Sequence, residues 1–388
     1  MNDSLYSRYL EALNYPNTPK LFLDLVALEK NIHWVKENAG SKSIRIATKS
    51  IRSKEILRRI LDHGAPFEGL MTYDLREALW LREEGFKNIL MGYPTMDDES
   101  LNELCKSPAE ITLMVDLPEH LDYLEEKATE FKTNLNICVD IDLSLDLPGL
   151  RFGVFRSRLN SEKRLLEFVL KLKNCPNLSL VGLMGYEAQI AGVGDKNSPL
   201  IRSLKSLSVK RLRERREKFI TLLEDHGFNL SIINGGGTGS LQTTVQERLV
   251  TEVTVGSGFY SPGLFDHYED FALTPALAFS LPVVRLPERD IVTCLGGGYI
   301  ASGEAGNLKV PIPYLPSGLE LLKHEGAGEV QTPLKNKSAY QFKIGDSIIM
   351  RHAKAGEVCE RFDKIHLIKD NKCIEEVPTY RGEGKTFI

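Results

Sequence analysis

The sequence contains no closely spaced pair of cysteines. Its six cysteines show no CxxC spacing and stand alone at positions 105, 138, 175, 294, 359 and 373. The first stretch, MNDSLYSRYLEALNY, lacks the basic and then apolar layout of a signal peptide. In a chain of this length without such a leader, isolated cysteines indicate reduced thiols rather than a disulfide framework. We therefore expect a cytoplasmic protein.

Two other features are also missing, and each excludes a class of function. No apolar run approaches the ~20 residues that a membrane-spanning helix needs, so no membrane partner is expected. The formal net charge is only −4, which argues against a nucleic-acid binder. One basic run, KRLRERREK at 210–218, is interleaved with acidic residues and has apolar residues at helical spacing. This pattern predicts a solvated helix face rather than a nucleic-acid patch.

The remaining composition is that of a globular protein with room for two domains. From Pro19 onward, short apolar segments alternate with helical patterns, and Gly or Pro marks nearly every boundary. This rhythm predicts repeated βα units around a parallel sheet. About eight such units before residue 260 or so fit a (β/α)8 barrel of the TIM type. A doubly wound open sheet is the alternative that the pattern leaves.

The pattern changes after about residue 272. Segments such as ALAFSLPVVRLPERDIVTCLGGGYI and YQFKIGDSIIMRHA are rich in β-branched residues, turns and prolines, and they lack helical periodicity. We therefore expect the barrel to occupy residues 18–270 and a C-terminal, mostly β domain to occupy residues 271–388. The first strand is a candidate member of the β domain.

Lys49 stands where the strand-like segment SIRIAT gives way to a helical pattern. Ile56, Leu57 and Ile60 recur at helical spacing, and Ser53 is a suitable N-cap. Lys49 is therefore expected at the carboxyl end of a strand, where parallel α/β proteins usually place their chemistry. A partly desolvated lysine at that position suits Schiff-base chemistry. The alternative is an ordinary surface lysine.

Two glycine-rich stretches follow later apolar segments. NGGGTGS at 234–240 allows close approach of the backbone to a ligand, with N–H groups turned toward an anion. TEVTVGSGFYSPG at 251–263 ends another strand in a Gly-Ser-Gly turn. Together the two turns predict a phosphate site at the rim of the barrel. Neither completes a dinucleotide or Walker motif, and a tight turn without a ligand is the alternative.

A third glycine stretch, LGGGYIASG at 295–303, fits the loose dinucleotide pattern, but no helical run follows it. We interpret it as a turn of the β domain. The stretch RHAKAGEVCERF carries His352 and Cys359, which are residue types that bind metals. Their spacing matches no standard zinc pattern, so a structural role is the competing interpretation.

In this order, the lysine stretch and the two glycine turns resemble the fold-type III, alanine racemase-like pyridoxal-phosphate enzymes. The resemblance is strongest to the D-threonine aldolase and D-serine dehydratase group and to bacterial proteins called amino acid deaminase/aldolase. It extends from TPKLFLDLVALEKNI to VPTYRGEGKTFI. The lysine stretch of that group has the form R-x-x-x-K-[ST]-x-[KR]-S, which this sequence matches at Arg45, Lys49, Ser50, Arg52 and Ser53.

The resemblance implies a role for each matching residue. Lys49 would hold pyridoxal 5'-phosphate covalently, and Arg151 of LRFGVF would approach the phenolate oxygen of the cofactor. Tyr186 of GLMGYEAQ would lie beside the cofactor ring. Thr254 would face the pyridine nitrogen, and a neutral residue there would weaken the electron sink. The phosphate would be bound by Gly236, Gly237, Thr238, Gly256 and Ser257.

One stretch departs from the pattern of that group. Its metal-dependent members carry His-x-Cys or His-x-Asp in the C-terminal domain, whereas this sequence reads His352-Ala353-Lys354. A charged lysine cannot bind a metal and repels cations. The need for a divalent metal is therefore left open, with His352 and Cys359 as weak candidate ligands. Lys354 is a candidate acid, base or carboxylate-binding group.

The resemblance implies a lyase that acts on a D-amino acid carrying a β-hydroxyl, as an aldolase or as a dehydratase and deaminase. An amino acid racemase and a non-catalytic pyridoxal-phosphate carrier are the alternatives. A racemase needs a second acid or base, and the tyrosines of the β domain include candidates for it. Related barrels complete their active sites with a partner subunit, so a homodimer is also expected.

Overall fold

The computed structural model describes residues 2–303 and 306–388, which divide into two compact units. The barrel unit comprises residues 36–48, 59–255 and 387–388. The β unit comprises residues 2–35, 49–58, 256–303 and 306–386. The domain boundary near residue 270 stays a prediction.

The helices and strands of the described residues are numbered in chain order. The helices are α1 (Asn2–Ala12), α2 (Leu25–Asn38), α3 (Lys54–Leu61), α4 (Leu75–Glu83), α5 (Asp98–Lys106), α6 (Pro118–Phe131), α7 (Glu162–Leu172), α8 (Ala188–Ala191), α9 (Pro199–Asp225), α10 (Leu241–Thr244) and α11 (Ser257–Tyr260). The strands are β1 (Lys20–Asp24), β2 (Ser43–Ala47), β3 (Phe67–Thr72), β4 (Ile89–Met91), β5 (Ile111–Val115), β6 (Leu135–Asp140), β7 (Leu145–Leu147), β8 (Leu150–Phe152), β9 (Leu178–Gly185), β10 (Ile232–Gly235), β11 (Glu252–Val255), β12 (Leu277–Glu288), β13 (Ile291–Leu295), β14 (Ile312–Leu315), β15 (Leu319–Leu321), β16 (Gln331–Asn336), β17 (Ser347–Arg351), β18 (Lys364–Lys369) and β19 (Lys372–Pro378).

The barrel unit contains a closed parallel barrel with the strand order β2-β3-β4-β5-β6-β9-β10-β11 and back to β2. This confirms the predicted (β/α)8 barrel and excludes the open sheet. The strands are short and apolar because both of their faces are buried, and every residue of β5 is buried. Inside the barrel, Leu90, Met114, Cys138 and Met184 pack together.

The helices of the barrel begin at residues that the sequence marks clearly. Asp74, Asp97 and Ser161 cap α4, α5 and α7 by accepting hydrogen bonds from backbone N–H groups of the first turn. These caps satisfy N–H groups that have no partner within the helix. The alternation of strand and helix in the sequence is therefore set by local residue choices.

The β unit is built on a sheet with the strand path β15-β16-β13-β12-β1-β18-β19, and β17 joins β12 and β14 to it. The first strand belongs to this sheet, because β1 pairs antiparallel with β12 and parallel with β18. The stretch LGGGYIASG follows β13 as an irregular turn, with Gly296 and Gly297 at φ +80° and +120°. The dinucleotide alternative for that stretch therefore has no helix to support it.

No helix in the described part of the chain is both long enough and apolar enough to cross a membrane.

Candidate active site

The three stretches singled out in the sequence follow three consecutive strands of the barrel, since β10, β11 and β2 are neighbours in that order. The triple-glycine stretch begins at the last residue of β10, and Gly256 directly follows β11. Lys49 lies in the 3-10 turn Thr48–Ser50, which directly follows β2. Barrel enzymes place their active sites at this end of the strands.

The triple-glycine turn needs glycine for reasons that the structure shows at each position. A Cβ on Gly235 would lie 2.8 Å from Arg216 Nη2 and 2.9 Å from the Glu187 carboxylate. Gly236 has a φ of +79°, and a Cβ there would lie 2.6 Å from a methyl of Val253. At Gly237 a Cβ would lie 3.0 Å from the Cβ of Ala191, and the Tyr186 ring would be in ordinary contact at 3.5 Å. The backbone therefore runs close to its neighbours at all three residues.

A buried ion-pair network lies directly behind this turn. Arg216 of α9 donates to the carboxylates of Glu187 and Glu247, and all three side chains are buried. Glu187 Oε2 also accepts the N–H of Gly236 at 2.5 Å. Burial alone would lower the pKa of Arg216, but the two carboxylates raise it above its ordinary value. The predicted phosphate residue Gly236 is thus attached through its N–H to a protein carboxylate.

Thr254 belongs to a second buried network, inside the barrel. Asn234 Nδ2 donates to Thr254 Oγ1 at 2.8 Å and to Glu252 Oε1 at 2.7 Å. Arg45 in turn binds Glu252 through Nε at 2.6 Å and Nη2 at 2.7 Å. The Thr254 hydroxyl is therefore oriented by a chain of hydrogen bonds that joins β2, β10 and β11. Its predicted role toward the pyridine nitrogen stays a prediction.

Tyr186, which follows β9, lies beside arginine rather than in an apolar pocket. The Arg156 guanidinium carbon is 5.4 Å from the Tyr186 ring centroid and 6.0 Å from that of Tyr93. Burial raises the pKa of the Tyr186 hydroxyl to about 12, although Arg156 opposes the shift. The phenol is therefore neutral throughout the physiological range, and a cation covers its ring.

The predicted phenolate-binding residue Arg151 has its guanidinium engaged within the barrel unit. It pairs with Asp142 at 2.5 Å and Asp146 at 3.1 Å, and it lies 4.4 Å from the ring of the exposed Phe155. Arg151 lies on β8, in the β7–β8 hairpin. Its assignment to the cofactor stays a prediction, and Arg156 is the arginine that the structure places at Tyr186.

A group of carboxyls lies at the carboxyl ends of β5 and β6. Burial raises the pKa of Asp140 to about 8, and the nearby Asp116 and Asp142 add to the shift, while Arg156 opposes it. Asp140 is therefore largely protonated at neutral pH. This end of the barrel carries less negative charge than its carboxyl count implies.

In the β unit, the backbone of Lys49 is fixed while its side chain is exposed. Arg52 Nε donates to the Lys49 carbonyl at 3.1 Å, and Arg52 also pairs with Glu360 at 2.5 Å. Gly356 packs so closely that a Cβ on it would overlap the same carbonyl. The side chain of Lys49 is exposed. Partial desolvation of its amine, expected from its position in the sequence, stays a prediction.

Ser257 lies in the glycine turn that follows β11, and it contacts the lysine stretch. Its hydroxyl lies 3.2 Å from that of Ser50. The hydroxyl of Tyr260, in the same helix α11, donates to the Ile51 carbonyl at 2.9 Å. The turn after β11 and the turn that carries Lys49 are therefore joined by hydrogen bonds.

The residues considered as metal ligands do not form a metal site. His352 is buried, and neither of its ring nitrogens has a hydrogen-bond partner. Burial lowers its pKa to about 3 and raises the pKa of the Cys359 thiol to about 12. Lys354 Nζ lies 3.4 Å from the Ser302 carbonyl. Within residues 2–303 and 306–388, no three His, Cys, Asp or Glu side chains are grouped to hold a metal ion, so the residues present do not fit one.

The close packing of Gly356 on Lys49 gives a prediction about stability and cofactor binding. Gly356→Ala is expected to lower the free energy of unfolding by about 1–3 kcal/mol, because Gly356 has a φ of +90°, which strains any L side chain, and because its methyl group would displace the Lys49 carbonyl. Gly345→Ala is the matched control, since Gly345 has a φ of +93° and nothing lies within 4 Å of its Cβ position.

Chemical denaturation of both variants, together with titration of pyridoxal phosphate, would measure the effect. Only Gly356→Ala is expected to lose cofactor affinity as well as stability. Equal losses of stability, with unchanged cofactor binding in both variants, would contradict a role for Gly356 in holding the lysine turn.

Several residues of the site were missed in the sequence. Arg216 was assigned to a solvated helix face within KRLRERREK, and this is wrong for Arg216, although most of that run is exposed. Glu187 directly follows Tyr186, and Asn234 is the first residue of the glycine stretch. Neither residue type indicates in the sequence which side chain it will contact in the fold. A buried arginine could have been suspected only from its position beside Leu212 and Phe219 on the apolar face of the helix.

Comparison with known proteins places this geometry among related sequences and folds. The chain is 23% identical over 247 residues to a 3-hydroxy-D-aspartate aldolase of Paracoccus denitrificans (strain Pd 1222), covering 62% of this chain. The match spans only 59% of the length of that relative. A D-threonine aldolase from Filomicrobium marinum has a similar fold, with a TM-score of 0.79 at 19% identity over 94% of this chain and 95% of that one. D-threo-3-hydroxyaspartate dehydratase from Delftia sp. HT23 gives 0.76 at 17% identity over 93% and 97%.

A protein family model also matches the sequence. The family described as alanine racemase, N-terminal domain, matches residues 23–262. This range begins within β1 and ends just after α11, so it includes the whole closed barrel. It also includes Lys49 and both glycine turns. Since the match covers more than half of the 388 residues, the chain belongs to the alanine racemase N-terminal domain family.

Proposed function

We propose that the protein is a pyridoxal-phosphate-dependent lyase that acts on β-hydroxy D-amino acids. It would break either the Cα–Cβ bond, as an aldolase, or the Cβ–O bond, as a dehydratase and deaminase. The observation that carries the proposal is the placement of the lysine turn and both glycine turns after three consecutive strands of one closed barrel. The names of the similar aldolases and of the similar dehydratase support the substrate class.

The donors in this chain suit a phosphate-bearing aldehyde. Lys49 offers a primary amine, which reacts with aldehydes. Hydroxyl groups such as those of Thr238 and Ser257 suit a phosphate, while the N–H groups of Gly236 and Gly237 donate to Glu187 and to Ser240. The closest carboxylate behind the triple-glycine turn, Glu187, is paired with Arg216 and so adds little repulsion. We infer that Lys49 holds the cofactor and that Gly236, Gly237, Thr238, Gly256 and Ser257 form its phosphate site.

The cofactor, when bound, supplies an electron sink for the negative charge that develops at the substrate Cα. The exposed amine of Lys49 is then suited to take or return the proton at Cα. Arg156 and Tyr186 provide a cationic and aromatic wall at the end of β9. Thr254 would offer the cofactor a neutral hydroxyl rather than a carboxylate, and such a group would leave the electron sink weaker. No step is assigned to a metal, because the donors at residues 352–354 do not fit one.

Analysis of the reaction products tests the proposal. The purified protein with pyridoxal phosphate would be incubated with D-threonine, D-serine, 3-hydroxy-D-aspartate and D-alanine, with and without a chelator. Aldol cleavage of D-threonine would release glycine and acetaldehyde, and dehydration of D-serine would release pyruvate and ammonia. We expect one of these outcomes and no racemisation of D-alanine.

Two other outcomes would replace the proposal with an alternative. Conversion of D-alanine to L-alanine without release of an aldehyde or ammonia would identify a racemase. A bound chromophore with no turnover of any of the four substrates would identify a carrier. Loss of activity with the chelator would show that a metal is needed in spite of the donor set. The homodimer expected from the resemblance stays a prediction.

A further inference from the structure

We propose that Arg156 is a specificity-determining residue that binds a second carboxylate of the substrate, so that the preferred β-hydroxy D-amino acid is a dicarboxylic one. The inference rests on the proposed function and deepens it, because it names a narrower substrate class and the side chain that selects it. It follows from the contacts of Arg156, from its place in the barrel unit, and from the balance of charge beside it.

The first observation concerns the contacts of the Arg156 guanidinium. Its carbon lies over two aromatic rings, 5.4 Å from the centroid of Tyr186 and 6.0 Å from that of Tyr93. Across residues 2–303 and 306–388, no carboxylate lies within 4 Å of it and no oxygen accepts its N–H groups, although the side chain is exposed. A guanidinium over an aromatic ring keeps its planar fork of N–H donors, which suits a carboxylate with two hydrogen bonds.

The second observation concerns the place of Arg156 in the barrel unit. It comes from the segment that follows β6, whereas Tyr186 follows β9, and β9 lies between β6 and β10 in the closed barrel. A Cβ on Gly237, in the turn after β10, would lie 3.5 Å from Tyr186 Cε2. The Tyr186 ring therefore borders both the triple-glycine turn and the Arg156 guanidinium.

This position favours a substituent on the substrate Cβ as the anion that Arg156 binds. The cofactor phosphate is assigned to the turns after β10 and β11, and β9 with its Tyr186 separates the turn after β10 from Arg156. The α-carboxylate is bonded directly to Cα, so it stays beside the cofactor. A substituent on Cβ is one bond further from Cα and can extend toward an exposed arginine.

The third observation concerns charge. Burial raises the pKa of Asp140, at the end of β6, to about 8, so this neighbour of Arg156 is mostly protonated at neutral pH. Arg151 pairs with Asp142 at 2.5 Å. The ionised groups around Asp140 and their direct partners balance in number, and they are the carboxylates of Asp116, Asp142 and Asp146 and the guanidiniums of Arg151, Arg156 and Arg215. A carboxylate that binds Arg156 therefore meets no excess negative charge from this group.

A comparison of Arg156→Met with Arg158→Met tests the inference. Both variants remove one exposed guanidinium from the same segment, but of the two only Arg156 lies over aromatic rings of the described residues. The probes are D-aspartate and D-2-aminobutyrate, which carry a carboxylate and a methyl group on Cβ and lack the β-hydroxyl of the proposed substrates. We expect the wild-type holoprotein to bind D-aspartate about tenfold or more tightly than D-2-aminobutyrate. This ratio should approach one in Arg156→Met and stay within about twofold of wild type in Arg158→Met.

Turnover gives a second readout that a general loss of structure would not move. The ratio of kcat/KM for 3-hydroxy-D-aspartate to kcat/KM for D-threonine is expected to fall about tenfold or more in Arg156→Met, mainly through KM. A ratio cancels any damage that affects both substrates alike. Arg156→Lys keeps the charge without the planar fork, so it should recover part of the ratio, and it decides the test if Arg156→Met fails to fold.

Each result decides the inference. Equal affinity of the wild type for the two probes would overturn it, as would a wild-type ratio in Arg156→Met. Equal losses for both probes in Arg156→Met would overturn it too, because they would assign Arg156 to the α-carboxylate or to the support of Tyr186. Wild-type holoprotein that turns over no β-hydroxy D-amino acid would overturn the proposed function, and the probe ratio would still report what Arg156 binds.

Discussion

Replacement of Lys49 by alanine is expected to abolish the visible absorbance of bound pyridoxal phosphate and to reduce lyase turnover by about 10²–10⁴-fold or more. The reason is that Lys49 supplies the only side-chain amine of the turn Thr48–Ser50, which directly follows β2, and that its side chain is exposed. The purified variant would be treated with borohydride and digested. Mass spectrometry would then show whether any lysine carries reduced cofactor.

Lys42 offers a matched control for this experiment, because it precedes the same strand at its opposite end. Its Nζ donates to the Arg248 carbonyl at 3.3 Å, and Lys42→Ala is expected to keep both absorbance and turnover. Lys49→Arg separates charge from nucleophilicity, since a guanidinium stays protonated and cannot react with the aldehyde. It should therefore behave like Lys49→Ala. A borohydride-reducible yellow adduct that persists in Lys49→Ala would show that another residue holds the cofactor.

The barrel could be predicted from the sequence because local residue choices determine its elements. Asp74, Asp97 and Ser161 cap their helices within a few residues, and each strand is a short apolar run. The position of Lys49 after β2 could be predicted for the same reason, since it depends only on neighbouring residues. Features that arise within one strand, turn and helix are visible in a sequence.

The contacts around these residues could not be predicted in the same way. Arg216 is paired with side chains 29 and 31 residues away, in separate segments of the chain. Helical periodicity marks its face of α9 but does not name its partners. The segment that packs on the backbone of the Lys49 turn was also missed, because it comes from a distant part of the chain. Gly356 fills that position from the other end of the chain, and no local pattern indicates it.

Replacement of Arg216 by methionine is expected to lower the free energy of unfolding by about 3–5 kcal/mol at neutral pH. Methionine fills a similar volume but leaves the Glu187 and Glu247 carboxylates buried without a cation. The Gly185 carbonyl loses a hydrogen bond as well. Denaturant unfolding of the cofactor-free protein would measure the loss.

Lys218→Met on the same helix is the matched control, because Lys218 is exposed and pairs only with the exposed Glu162 at 3.6 Å. It is expected to cost less than about 1 kcal/mol.

The pH dependence of this loss identifies its cause. Burial already raises the pKa of Glu247 above its ordinary value, and Arg216 opposes the shift. Without Arg216 the pKa of Glu247 in the folded protein rises further, so the folded state binds more protons than the unfolded state above about pH 4. Stability is then lost as the pH rises through the raised pKa. The deficit of Arg216→Met relative to wild type should therefore be largest near about pH 8 and shrink toward about pH 5.

The charge argument can be checked by removing the carboxylates as well as the arginine. The triple variant Arg216→Met, Glu187→Gln, Glu247→Gln buries no charge at these positions, so most of the lost stability and all of the extra pH dependence should be recovered. A deficit of Arg216→Met that is below about 1 kcal/mol, or that is constant between pH 5 and 8, would mean that the two carboxylates reach water when the arginine is removed.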